Sequence, residues 1–170
     1  MRRFSLVEAL LCVTMTALTL GAILPQVGRS LRARRVLAQQ ASDLDALSAS
    51  VDRLRGALRR AKRVVAGAGA HRTSGECLVL ERLDGAHEVY RLERVSNASW
   101  LVRYALPASP APGAQGAQTL LARADGLALR FDALPVTKAR AVAFDLVLPA
   151  RLEGARPRRL STRARVGGPR

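Results

Sequence analysis

The side chains able to do chemistry in this sequence are few, and none stands in a catalytic spacing. His71 and His87 fall in a linker and a turn, and read as solvated surface histidines. Cys77 opens an apolar run, where a small buried hydrophobe is the expectation over a reactive thiol. The acids Glu81, Asp84, Glu88 and Glu93 lie close enough along the chain for a weak cation site. Because they alternate with Arg82, Arg91 and Arg94, they read instead as cross-strand ion pairs. Asn97-Ala98-Ser99 matches a glycosylation sequon but carries no weight in a chain whose Arg- and Ala-rich usage looks bacterial. No phosphate-binding glycine loop, His-Glu-x-x-His pair or nucleophile elbow occurs. With 2 His and 2 Cys, Cys/His zinc clusters and a disulfide framework are excluded. The expectation is a protein that is not an enzyme and that uses no cofactor and no metal.

One carboxylate remains to be explained. Glu8 stands at the edge of an uncharged run from Ala9 to Leu24, behind the basic Met1-Arg2-Arg3. About 20 helical residues at 1.5 Å each cross a bilayer core of about 30 Å, and residues 4–27 meet that length. A removed signal peptide has the same basic start and apolar middle. Small residues for a cleavage site are scarce after Leu24, where Pro25, Gln26 and Arg29 follow, so a retained transmembrane helix is expected. A carboxylate at the edge of such a helix is expensive unless it is paired, solvated by headgroups or functional.

The elements that would position these residues follow from periodicity. The chain of 170 residues is 49% apolar and carries 28 Lys and Arg against 13 Asp and Glu, a net charge of +15. That length suits one folded domain with a core built from Leu, Val and Ala, since aromatics are only 4%. After Pro25, Leu37, Ala41, Leu44, Leu47, Val51, Leu54, Leu58, Ala61 and Val65 recur at steps of three and four. This predicts an amphipathic helix over 28–66 that ends at a glycine cap near Gly67 to Gly69.

The second half predicts strands over 77–83, 88–92, 100–104, 127–131, 142–148 and 159–166, with Asp84-Gly85 as a hairpin turn. Residues 107–116, rich in Pro, Ala and Gly, read as a surface loop. The predicted organisation is a basic leader at 1–3, a transmembrane helix at 4–27, the amphipathic helix at 28–66, a β-sheet head at 76–166 and a basic tail at 167–170. The fold class is α+β: a long N-terminal helix packed on a C-terminal antiparallel sheet.

Basic leader, then Phe4-Ser5-Leu6-Val7-Glu8, then an apolar helix resembles the N-terminus of type IV pilins and pseudopilins. Phe4, Leu6, Val7 and Glu8 match the family pattern, Ser5 stands in for Thr, and Arg3 occupies the place of the leader glycine. Pro25 falls where many pilins carry a helix-kinking proline. The resemblance implies cleavage by a prepilin peptidase between Arg3 and Phe4 and methylation of the Phe4 amine. It also implies that Glu8 pairs with the N-terminal amine of a neighbouring subunit and so sets helix register in a filament. The segment Val51 to Ala61, the Tyr90-Arg91-Leu92 and Leu101-Val102-Arg103-Tyr104 strands and the Gly126 to Asp132 strand are similar to the minor pseudopilins of type II secretion systems, the J type above all.

The partners implied are other minor pseudopilins, the major pseudopilin, the inner-membrane assembly platform and membrane lipid. The implied location is the inner membrane, single-pass, with the head in the periplasm. Counting basic residues alone, Arg2 and Arg3 against Arg29, Arg32, Arg34 and Arg35, would place the C-terminal part in the cytoplasm. The orientation expected is that of the resemblance, because the insertion route can override the count. A type IV pilus or competence minor pilin that binds DNA through its basic residues is the alternative. Against it, the arginines are spread over every segment and few aromatics are available for stacking, so nucleic acid is not among the expected partners.

Overall fold

The computed structural model describes residues 6–148 and 157–167. Expectations placed on Arg2, Arg3, Phe4, Ser5 and the tail beyond Gly167 lie outside the described residues. The chain divides into two compact units, Met1–Ala41 and Ser42–Arg170.

A single helix, α1, runs from Leu6 to Arg60 over 55 residues. Its glycines are isolated and Pro25 is the only proline inside it. Pro25 has no amide hydrogen, so the carbonyl of Gly21 loses its usual donor four residues on. In the second unit, α1 buries Leu47, Ser50, Val51, Leu54, Ala57 and Leu58, positions three and four apart that share one face. The Ser50 hydroxyl donates to the Ala46 carbonyl at 2.7 Å, which satisfies the one polar group on that face.

Among the described residues ten strands follow: β1 (Ala61–Val64), β2 (Gly67–Ala68), β3 (His71–Arg72), β4 (Cys77–Arg82), β5 (His87–Val95), β6 (Ala98–Leu106), β7 (Ala117–Arg123), β8 (Gly126–Phe131), β9 (Ala141–Val147) and β10 (Arg159–Arg165). Among the described residues they form a five-stranded sheet in the order β1-β4-β5-β6-β7, a three-stranded sheet β10-β9-β8 and a β2-β3 ribbon. Every pairing is antiparallel. The fold is α+β, one long helix followed by antiparallel sheet. The expected single sheet is therefore two sheets and a ribbon.

Alternation along the strands divides the apolar residues between two layers. Leu78, Leu80, Tyr90 and Leu101 face α1 and join Leu127, Leu129, Val142, Phe144 and Leu146 of the smaller sheet in one core. Val79, Val89, Val102, Tyr104 and Leu106 point the other way and form a second cluster with Ala68, against which Val65, Cys77, Trp100 and Ala114 pack. The ribbon and the 107–116 loop are tied together over this second layer: Ala70 N–H donates to the Ala114 carbonyl at 2.9 Å. Gly69, at φ +59°, passes so close that a Cβ there would run into that same carbonyl oxygen.

Three sequence expectations are corrected here. The helix ends at Arg60, not near Gly67, and Ala61–Val64 is a strand paired with β4. A bulge between Ala61 and Arg63 turns both Ala61 and Val64 inward, while Val65, the last position of the expected stripe, lies just past the strand and packs on the second cluster. Gly67 and Gly69 then serve the ribbon rather than a helix cap. β7 was not anticipated, because its residues are mostly exposed and show no alternation. His71, expected in solvent, is only 4% exposed.

Leu54 is fully buried and Leu37 is 60% exposed, although both belong to the same sequence stripe. Leu54→Ala should therefore lower stability by about 3 kcal/mol and Leu37→Ala by less than about 0.5 kcal/mol. Urea unfolding of the detergent-solubilised chain, followed by fluorescence of Trp100, checks both.

Candidate functional site

The residues singled out by sequence fall on the first unit, and there α1 has an unusual surface. From Leu6 to Gly28 the only charged residue is Glu8, in the first helical turn. Leu6, Val7, Leu10, Val13, Leu18 and Leu24 expose between 64% and 83% of their surface. Each such side chain forgoes about 2 kcal/mol of burial if left in water, so water is a poor medium for this stretch. The segment is long and apolar enough to cross a membrane. Leu6 to Leu24 spans about 28 Å at 1.5 Å per residue, close to the hydrocarbon thickness.

Its polar groups are dealt with locally. The hydroxyls of Thr14, Thr16 and Thr19 donate to the carbonyls of Leu10, Cys12 and Met15 at 2.9, 2.7 and 2.9 Å. Three threonines that would each carry an unsatisfied donor into lipid thus carry none. Sequence reasoning passed over them, yet their signal is present: threonines inside a helical apolar run have a carbonyl one turn back within reach. Glu8 is exposed and lies in the first turn of α1. Pro25 lies inside α1. Arg3 and Phe4, the residues of the implied cleavage and methylation, lie outside the described residues. Glu8 and Pro25 share one helix but stand at its two ends of the apolar run, so they form no common pocket.

The four acidic residues of the hairpin region are engaged by side chains of the chain itself. Glu81 accepts from Lys62 Nζ at 2.9 Å and Arg63 Nε at 2.6 Å, both from β1. Glu88, 8% exposed, accepts from Arg103 at 2.7 Å and from the Tyr90 hydroxyl at 2.9 Å. Glu93 accepts from the Tyr104 hydroxyl, and Asp84 pairs with Arg82 at 3.1 Å. Glu81, Glu88 and Glu93 thus act as cross-strand partners, and Asp84 pairs within the hairpin turn. Among the described residues no three His, Cys, Asp or Glu side chains converge as a metal ion would require.

These contacts set the titration of the groups involved. The hydrogen bonds from Lys62 and Arg63 hold Glu81 below the usual carboxylate range. Burial, followed by the hydrogen bond to Glu93, pushes Tyr104 up to about 12. Burial also raises the Cys77 thiol, against a smaller opposing effect of Arg91, and the residue is half-buried beside the second cluster. His71 Nε2 lies 2.9 Å from the Gln115 carbonyl and its ring centroid 4.7 Å from that of Tyr104. This histidine is a structural tether for the 107–116 loop.

Comparison with known protein families, with characterised proteins and with solved structures finds no match to this chain. The architecture itself is pilin-like. One long helix, apolar at its N-terminal end, is followed by an antiparallel sheet, and its later turns pack on that sheet.

A depressed Glu81 stabilises the fold fully above the unfolded glutamate value of about 4.3 and loses that contribution as pH falls through the lower folded value. Glu81→Gln should therefore be less stable than the wild type at pH 7, with the difference closing on acidification through the carboxylate range. Urea midpoints at a series of pH values test this; a gap that persists unchanged below pH ~2 contradicts it.

Proposed function

We propose that this chain is a minor pilin-like subunit of the pseudopilin kind, with a structural rather than a catalytic role. It assembles through the apolar part of α1 into a short filament of the type II secretion kind, near its tip. The observation that carries the reading is the single helix that is exposed and apolar over Leu6–Leu24 and then supplies core residues to an antiparallel β unit. A soluble protein has no use for the first surface, and a simple membrane anchor has no need to build its anchor into the core of its folded part.

In this reading the inner membrane holds residues 4–27 and the sheet-bearing unit folds in the periplasm. The other minor pseudopilins, the major pseudopilin and the assembly platform are the partners. A prepilin peptidase processes the leader at Arg3 and Phe4, and methylates the Phe4 amine. Glu8 provides register. A carboxylate held among apolar helices has to face a cation, because the alternative is a desolvated charge costing several kcal/mol. The N-terminal amine of an adjacent subunit is a cation of the right kind at the right depth, and it locks one helix against the next at one stagger only. Charge at Glu8 is then a requirement of assembly and not of membrane insertion.

The test separates those two. In host membranes, Glu8→Gln should reduce crosslinking of this chain to the other pilin-like subunits at least tenfold, about the effect of 1.4 kcal/mol, while the amount of chain in the membrane stays unchanged. Glu8→Asp should retain part of the crosslinking. Wild-type crosslinking by Glu8→Gln would overturn the role of Glu8, and absence of any crosslink to pilin-like subunits in the wild type would overturn the assembly reading.

A further inference from the structure

Among the described residues the two larger sheets end in four edge strands, β1, β7, β8 and β10. An exposed edge is a row of backbone donors and acceptors ready to pair with another chain, and folded proteins guard such edges with charge, proline, brevity or a covering segment. Three of these edges are guarded. β1 has only 4 residues, with Lys62 and Arg63 at its centre. β10 carries Arg159, Arg163 and Arg165 on its exposed positions. β8 is covered at Leu129, whose N–H donates to the Gly75 carbonyl at 2.7 Å.

β7 has none of these devices. Ala117-Gln118-Thr119-Leu120-Leu121-Ala122 contains no charge and no proline, its first four residues are exposed, and its one cation, Arg123, comes at the end. Among the described residues no strand lies beyond it. A groove of ≈ 440 Å³ adjoins the strand and includes Asn97, Trp100, Leu120 and Arg123 in its walls. Leu120 is 44% exposed, and the Arg123 guanidinium sits 5.2 Å from the centre of the Trp100 ring. An unguarded backbone edge thus lies beside an apolar seat with a cation at its rim. Backbone pairing supplies affinity in strand addition, and pockets for alternate side chains supply selectivity.

We propose that β7 is a docking edge that accepts an extended segment of a different, acidic chain as the sixth strand of the larger sheet. One apolar side chain of that segment occupies the groove against Trp100 and Leu120, and a neighbouring carboxylate meets Arg123. The charge of the molecule selects this occupant. At +15 a second copy of this chain is repelled at long range, whereas an acidic partner is drawn in. The proposal goes beyond helix-driven assembly and is independent of Glu8.

Trp100 is the only tryptophan in the chain, so its emission reports on the groove alone. The full chain in zwitterionic micelles is titrated with a short synthetic peptide of alternating Val and Thr with Asp at both ends, and with the same peptide ended by Lys. The Asp peptide should give a saturable blue shift and slow amide exchange across Ala117–Arg123. The Lys peptide should bind at least about tenfold more weakly, as should the Asp peptide to Leu120→Lys, an exposed edge position whose substitution leaves the core intact. Arg159→Glu, on the guarded edge, should bind the Asp peptide no more weakly than wild type. No saturable shift with the Asp peptide overturns the proposal. So does equal binding of the two peptides, protection away from β7, or peptide-free self-association that Leu120→Lys abolishes, which would make a second copy the occupant.

Discussion

Burial of apolar surface has to be achieved twice along α1, and by different means. Over Leu47 to Leu58 the chain does it for itself, closing the helix face against Leu78, Leu80, Tyr90 and Phe144. Over Leu6 to Leu24 the leucines are exposed, in a stretch long and apolar enough to cross a membrane, and in the proposed reading their burial comes from the apolar phase of a bilayer. The rest of the structure follows from this division. In that reading the helix changes medium along its length, with polar groups self-satisfied on one side, as in Thr14, Thr16 and Thr19, and a sheet-packed stripe on the other.

Much of the charge of the second unit serves its architecture. Lys62, Arg63, Arg82, Arg103 and Arg130 each pair with a carboxylate of the chain, and Arg55 reaches the Thr162 hydroxyl at 2.6 Å to join α1 to β10. Arg159, Arg163 and Arg165 protect an edge. A strongly basic composition therefore does not, by itself, describe a nucleic-acid surface. These arginines stand where strands need partners or an edge needs protection.

How much of this was legible in the sequence depends on how local the cause was. The apolar run, the Leu47-Val51-Leu54-Leu58 stripe and the strands around Val79, Val89, Val102, Leu129 and Phe144 all appear in the sequence, because each rests on a simple period. The end of α1 was hidden because Ala61 and Val65, which fall in and just after β1, happen to continue the helical spacing of Leu54 and Leu58. His71 was misjudged because what buries it, Tyr104 and the 107–116 loop, lies far along the chain. β7 was invisible because an edge strand with an exposed face has no period to display. Glu8 stood out by its residue type and its place beside an uncharged run.

The most direct test of the account is the intact mass of the chain recovered from alkali-washed membranes of its own host. The account predicts a membrane-retained species that still contains Leu6 to Leu24, shortened by Met1 to Arg3 and heavier by one methyl group. A chain released by alkali, with a mass showing that it begins after Leu24, would mean that the apolar segment is discarded and would contradict the account at its root.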